Sequence, residues 1–352
     1  MSQLNYRLIS YIIGLLLLFN ATAIFLTSFV SYYFSDGFFS SILKSGFICF
    51  AIGFLIMFFS KNPKKIINRR DGYLVVVIGW LTMVFSGMLP YIFTNTIDNV
   101  PDLIFETMSG YTTTGSSIIS DIEALPESII FWRSMTHWLG GMGIIVLAIA
   151  ILPMLGIGGM QLFSAEAPGS GISGDKIHPR ISNTAKRLWF IYFGLTLLET
   201  ILLNIAGMSF FDAINHSMSN IATGGFSTKN DSLSFWNSMP QIQYIIIFFM
   251  ILAGTNFLLI YLSLIGKFKK LFYNTEFIWF LGLIASFVLI TTIILNSNVD
   301  LDSTNFNHPQ VLGKLEASFR HALFQVVAII TTTGFVTGDF AAGNFKFAGT
   351  NF

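Results

Sequence analysis

Three uncharged segments rich in threonine and glycine recur in this chain: Thr112-Thr113-Thr114-Gly115-Ser116, Ala222-Thr223-Gly224-Gly225-Phe226 and Thr331-Thr332-Thr333-Gly334-Phe335. Their glycines Gly115, Gly225 and Gly334 are spaced by 110 and then 109 residues. None of the segments contains an acid, a base or a cysteine, so the chemistry they offer is that of the peptide group. A bare cation moved into hydrocarbon costs on the order of tens of kcal/mol. A ring of backbone carbonyl oxygens can replace its hydration shell. Such a lining needs glycine, which reaches left-handed conformations without steric cost. Filters built on rings of charge are disfavoured here, and neutral oxygens suit a weakly hydrated monovalent cation, K⁺ first. One such tetrapeptide reads as an ordinary polar turn. Three at matched spacing are an internal repeat.

Something must hold these segments. Before each lies a stretch too short to span a bilayer: Pro101–Gly110, Ser209–Asn220 and about Lys314–Ile330. Asn99 and Ser209 stand as helix caps, Pro101 suits a first turn, and Asp212 favours the positive end of its helix. Aligned on the glycines, Ser109, Ser219 and Ala328 share a position six residues upstream. A small residue there lets the short helix pack closely. Its C-terminal end, partially negative, points at the loop.

The frame around them is apolar. Of 352 residues 53% are hydrophobic, 16% aromatic and only 11% charged, against about a quarter charged in soluble domains. The composition predicts an all-α polytopic membrane protein with spans near 9–33, 39–59, 73–94, 129–153, 188–208, 243–266 and 276–296. Ala21-Thr22-Ala23 resembles a signal-peptide cleavage site, but the apolar run continues through Val30 and reads as a first membrane helix. Thirteen of the 19 Lys and Arg fall on one side of these spans: Arg7, Lys61, Lys64, Lys65, Arg69, Arg70, Lys176, Arg180, Lys186, Arg187, Lys267, Lys269 and Lys270. Most carboxylates fall opposite, among them Asp102, Glu106 and Asp212. The basic side is therefore cytoplasmic, with the N-terminus, and the three Thr/Gly segments dip in from outside. A net charge of +1 implies no attraction to nucleic acid, and the lone Cys49 forms no internal disulfide.

Longer stretches around these segments match a known family. They are Phe105-Glu106-Thr107-Met108-Ser109-Gly110-Tyr111 leading into the first segment, Phe131-Trp132-Arg133-Ser134, Trp138-Leu139-Gly140-Gly141-Met142-Gly143-Ile144, and Ala165-Glu166-Ala167-Pro168-Gly169, together with the second and third segments. The chain resembles the pore-forming subunit of Trk-type potassium uptake systems, in the Trk/Ktr/HKT superfamily, over essentially all of it after about residue 70. The two helices before the first repeat resemble Trk rather than Ktr.

The resemblance implies helix–pore loop–helix repeats around one pore, four in the family. It implies K⁺ coordination by backbone oxygens of Thr113, Thr114, Thr223, Gly224, Thr332 and Thr333, with Gly115, Gly225 and Gly334 holding the turns. It also implies a homodimer in the inner (cytoplasmic) membrane and a cytoplasmic regulatory subunit that senses nucleotides. No cofactor and no enzymatic activity are expected, K⁺ being the transported ion. The organisation it predicts is a two-helix segment (1–70), a first repeat (71–160), a cytoplasmic loop (161–186), a second repeat (187–270) and an incomplete third (271–352). After Gly334 no further span is legible, and Gly343–Gly349 is not one. A fragment or truncated frame is the expectation, with a non-conducting remnant as one alternative and a Na⁺-coupled or Na⁺-permeable relative as another.

Other features read as background. Gly169-Ser170-Gly171-Ile172-Ser173-Gly174 fits a dinucleotide pattern but follows no strand, and Asp175 stands where a phosphate loop needs lysine. His137, His178, His216, His308 and His321 have no metal-ligand spacing. Arg133 and His137 lie one turn apart, placed to cap the outer end of their span or to bond neighbouring loops. Gly140, Gly141 and Gly143 permit close helix packing. Glu199, inside the fifth span, reads either as a coupling group or as a hydrogen-bonded packing residue; an intramembrane enzyme using it with a histidine is the reading from another class.

Overall fold

The computed structural model describes residues 4–61, 63, 69–155, 181–298 and 309–338. The Gly169–Gly174 stretch, the Ala165–Gly169 motif and Gly343–Gly349 lie outside them. Among the described residues every regular element is helical, apart from an isolated bridge between Val311 and Gly313. In hydrocarbon an α-helix is one of two ways to pair all backbone groups, so apolar runs of this length fold no other way here.

The chain divides into two compact units, Met1–Thr112 with Ser116–Trp189, and Thr113–Gly115 with Phe190–Phe352. The first holds α1 (Tyr6–Phe34), α2 (Phe39–Phe59), α3 (Arg69–Gly87), α4 (Leu89–Thr94), α5 (Val100–Tyr111) and α6 (Glu127–Leu155). Asn5 caps α1 by accepting the Leu8 N–H at 3.2 Å. The α1–α2 pair closes at Gly14, where a Cβ would stand 2.9 Å from the Gly53 carbonyl oxygen. Small residues are how membrane helices approach, since lipid gives no hydrophobic drive between them. The third expected span runs through from Arg70 to Thr94 with a break in helical pairing only at Met88, where α3 ends at Gly87 and α4 resumes with Pro90 in its first turn.

The second unit takes α7 (Ile181–Ile205) from Phe190 onward, then α8 (Phe210–Ile221), a 3-10 turn (Ser232–Trp236), α9 (Pro240–Ala253), α10 (Phe257–Leu264), α11 (Phe268–Phe272), α12 (Thr275–Asn298) and α13 (Lys314–Ile330). Leu203, Ile242, Ile246, Met250, Phe324 and Val327 form its buried centre. Trp279, Leu283, Phe287, Ile290 and Ile293 on α12 are exposed, a face suited to lipid.

All seven expected spans have a helix, but the sixth is not one rod. α9 and α10 meet at a bend of 102°. The reason is local. Gly254 ends α9, and Asn256 starts α10 by accepting the Leu258 N–H at 3.0 Å. The Gly254-Thr255-Asn256 signal was in the sequence, hidden under its apolar flanks.

The short helices fall where the sequence puts them. α8 begins after Ser209, whose Oγ accepts the Asp212 N–H at 3.0 Å. α5 follows Asn99, but that side chain caps nothing. Its amide donates to Asp102 at 3.0 Å instead, while Pro101 fills the first turn.

Candidate cation filter

Each short helix delivers its chain into the same backbone figure. Thr113, Thr223 and Thr332 have φ of 54°, 53° and 58°, and two residues later Gly115, Gly225 and Gly334 have φ of 76°, 82° and 79°. The residue between stays out of the left-handed region. A β-branched residue at positive φ costs about 1–3 kcal/mol and persists only where its surroundings over-determine it. The same strained threonine at the same place three times is one architecture repeated.

Part of that determination comes from the small-residue position. The Ser219 carbonyl accepts the Gly224 N–H at 2.8 Å, and the Ala328 carbonyl accepts the Gly334 N–H at 3.2 Å. Ser109, Ser219 and Ala328 are all buried. Small side chains let their helices seat, and two of these positions also tether the loop that follows.

Within the second unit the three segments lie side by side. A Cβ on Gly115 would stand 1.9 Å from the Gly224 carbonyl oxygen, and one on Gly225 would stand 2.1 Å from that of Thr333. Each contact joins a filter glycine to the oxygen just before the next filter glycine. Around Gly334 no described atom lies within 4 Å of such a Cβ. The arc thus runs from the first segment through the second to the third. Gly224 in the middle is buried, whereas Thr114 at one end and Gly334 at the other are exposed.

The chain leaving each Thr/Gly segment is tied back to its own short helix. In the first repeat Glu106 accepts from Ser117 Oγ and from the Ile118 N–H, all at 3.0 Å. Arg133 on α6 pairs with Glu106 at 2.9 Å and donates to Ser117 at 3.0 Å, both charged groups being buried. In the second repeat His216 lies 2.9 Å from Ser227 Oγ and 2.8 Å from the Asp212 carbonyl. That carbonyl can only accept, so Nδ1 carries the proton and, in the neutral ring, Nε2 accepts from the serine. In the third, Gln325 donates to Thr337 Oγ1 at 3.2 Å, and Asn237 donates to the Thr337 carbonyl at 3.2 Å.

Glu106, His216 and Gln325 each stand nine residues before their filter glycine. Sequence reasoning missed the set, although aligning the repeats one step further would have exposed it: a polar residue within each short helix and a hydroxyl two or three residues past each glycine. Arg133 bonds a neighbouring loop, as expected, yet as half of a buried ion pair with Glu106, which the sequence placed among the outer carboxylates.

Two further expectations meet their surroundings. Of the glycines expected to admit close packing, Gly140 packs on the first short helix, where a Cβ would stand 2.0 Å from the Tyr111 carbonyl oxygen, whereas a Cβ on Gly143 would meet no described atom within 4 Å. The Tyr111 hydroxyl donates to Asn20 on α1, and Asn20 donates to Ser86, each at 2.7 Å. Glu199 is buried and accepts from Asn220 Nδ2 at 2.6 Å, at the end of α8. Asn220 also reaches the Ile246 carbonyl at 3.2 Å. Among the described residues that amide, and not a histidine, is the partner of this carboxyl, whose Oε2 is buried without a hydrogen bond.

Apolar helices long enough to cross a bilayer, with three short helices each ending in the same glycine loop, define a multi-pass membrane protein. Residues 39–344 match the TrkH family model, described as cation transport protein. The chain is 38% identical over 340 residues to the Trk system potassium uptake protein TrkH of Salmonella typhimurium, covering 96% of this chain and 68% of that protein. It is 33% identical over 297 residues to the Trk system potassium uptake protein TrkG of Escherichia coli, covering 84% of this chain and 58% of that one. The crystal structure of the potassium transporter TrkH from Vibrio parahaemolyticus superposes with a TM-score of 0.80 at 34% identity, over 96% of this chain and 67% of that one. The chain belongs to the TrkH family of cation transport proteins, a family of transporters and not of enzymes.

Proposed function

We propose that this protein is the pore-forming part of a Trk-type potassium uptake system. K⁺ passes through a filter lined by backbone oxygens of Thr113, Thr114, Thr223, Gly224, Thr332 and Thr333. The observation that carries the reading is the packing of Gly115 and of Gly225 against the oxygen before the next glycine, in three segments sharing one strained backbone figure. The absence of charged side chains from the segments favours a weakly hydrated ion, and the relatives are named for potassium uptake.

A ring follows from the arc. If Gly334 meets a fourth oxygen as Gly115 and Gly225 meet theirs, and a fourth glycine meets the Thr114 oxygen, four segments close it. The same reading assigns 1–70 to a supporting helix pair, 71–160, 187–270 and 271–352 to successive repeats, and 161–186 to the cytoplasmic side. It places the N-terminus in the cytoplasm and the protein in the inner membrane. It takes a homodimer and a nucleotide-sensing regulatory subunit as partners, with no resident cofactor.

The test is growth and K⁺ uptake at limiting potassium in a bacterial strain stripped of its own uptake systems. Uptake of K⁺ in preference to Na⁺, lost on Gly225→Ala with the protein still in the membrane, is the expected result. Uptake indifferent to Gly225, or equal for the two ions, overturns the proposal.

A further inference from the structure

Resting on the potassium reading, we propose that Glu106, His216 and Gln325 are positioning residues for ion discrimination. Each latches the strand leaving its own filter glycine, through Ser117, Ser227 and Thr337, and so fixes the height of the oxygens that the ion meets. Discrimination between K⁺ and Na⁺ by uncharged oxygens depends on where those oxygens are held. The strained threonines give each loop a reason to relax. The short helix secures the entry side of the second and third loops through the carbonyls of Ser219 and Ala328. The residue nine before the glycine secures the exit side in all three.

The three latches use different chemistry. One is a carboxylate paired with Arg133, one an imidazole whose other nitrogen is committed to the Asp212 carbonyl, and one an amide. What they share is geometry: a buried polar group on the short helix, within hydrogen-bond reach of a hydroxyl just past the filter. The function of the position is therefore reach and not charge. An amide should serve where the second loop uses a ring. The second latch is the one to test, because it can be cut without stranding a buried charge, as cutting the first would strand Arg133.

The experiment uses the full chain with His216→Leu, Ser227→Ala, the double variant and His216→Gln. K⁺ and Na⁺ uptake are measured in cells, and amide hydrogen exchange over residues 226–230 on purified protein. His216→Leu and Ser227→Ala should each lower the K⁺ to Na⁺ uptake ratio about tenfold, and the double variant by much less than the product of the two, since the His216–Ser227 bond is common to both, while His216→Leu also gives up the Asp212 carbonyl and Ser227→Ala the Lys229 N–H. Exchange over 226–230 should rise in these variants while the rest of the chain keeps its protection. His216→Gln should restore both readouts. Leucine and alanine variants that retain the wild-type ratio overturn the proposal. If the wild-type chain itself does not prefer K⁺, the potassium reading falls, and exchange alone then decides the latch: unchanged protection in His216→Leu overturns it, and faster exchange rescued by glutamine supports it.

Discussion

The α-carbon of Gly225 is pressed against the carbonyl oxygen of Thr333 so closely that a Cβ would stand 2.1 Å from it. Two segments 109 residues apart in the chain are thereby joined at a place that only glycine can fill. Gly115 meets the Gly224 oxygen in the same way. Gly334 shares their left-handed backbone but meets no described atom.

That difference orders three substitutions. Gly115→Ala and Gly225→Ala combine a left-handed penalty of about 1–2 kcal/mol with a backbone collision. Gly334→Ala carries the conformational penalty alone. Potassium-limited growth should be abolished by the first two and lowered, but not abolished, by the third. Equal losses at all three positions, at matched membrane levels, would show that the close approach is not what the glycines serve.

Cutting the buried Glu106–Arg133 pair should be costly. Glu106→Gln leaves an uncompensated guanidinium among buried groups, which destabilises by about 3–5 kcal/mol. The melting temperature in detergent should fall sharply, and Arg133→Met in the same chain should recover much of the loss. A single variant as stable as the wild type would mean that solvent reaches Arg133.

Glu199→Gln should be mild. The amide oxygen still accepts from Asn220, so stability should move by less than about 1 kcal/mol and K⁺ uptake by less than about twofold. Glu199→Leu removes the acceptor and should cost about 1–3 kcal/mol by leaving a buried donor unsatisfied. Loss of uptake in a stable Glu199→Gln protein would instead make this carboxyl part of the transport cycle.

Asp36, between α1 and α2, gives stability a defined pH dependence. Partial burial pushes its carboxyl up, but hydrogen bonds from Ser128, Ser31 and the Phe38 N–H outweigh this and hold it below its ordinary value of 3.8. A carboxyl lowered by folding stabilises above its unfolded pKa and loses that contribution as pH falls through the folded one. Asp36→Asn should therefore melt lower than the wild type at pH 7, and the gap should close below about pH 4. A gap that stays constant to pH 3 would remove charge from the account.

Much was legible in the chain itself. Apolar runs long enough to span, separated by caps and glycines, fixed where helices lie, because a backbone in lipid has few other ways to pair its polar groups. The third short helix, expected at about Lys314–Ile330, spans those residues. Repetition at intervals of 110 and 109 marked the loops. The bend at Gly254-Thr255-Asn256 was written there too, but hydropathy summed over a window hides a break of three residues.

Tertiary structure alone decided which oxygen meets which glycine, and that Glu106 is an anchor paired with Arg133 instead of an outer-surface charge. It alone tied His216 and Gln325 to the hydroxyls of Ser227 and Thr337. Composition and period report what each residue is and which face of a helix it shares. Whether two polar groups far apart in sequence come within 3 Å depends on the path of everything between them, and no local pattern encodes that path.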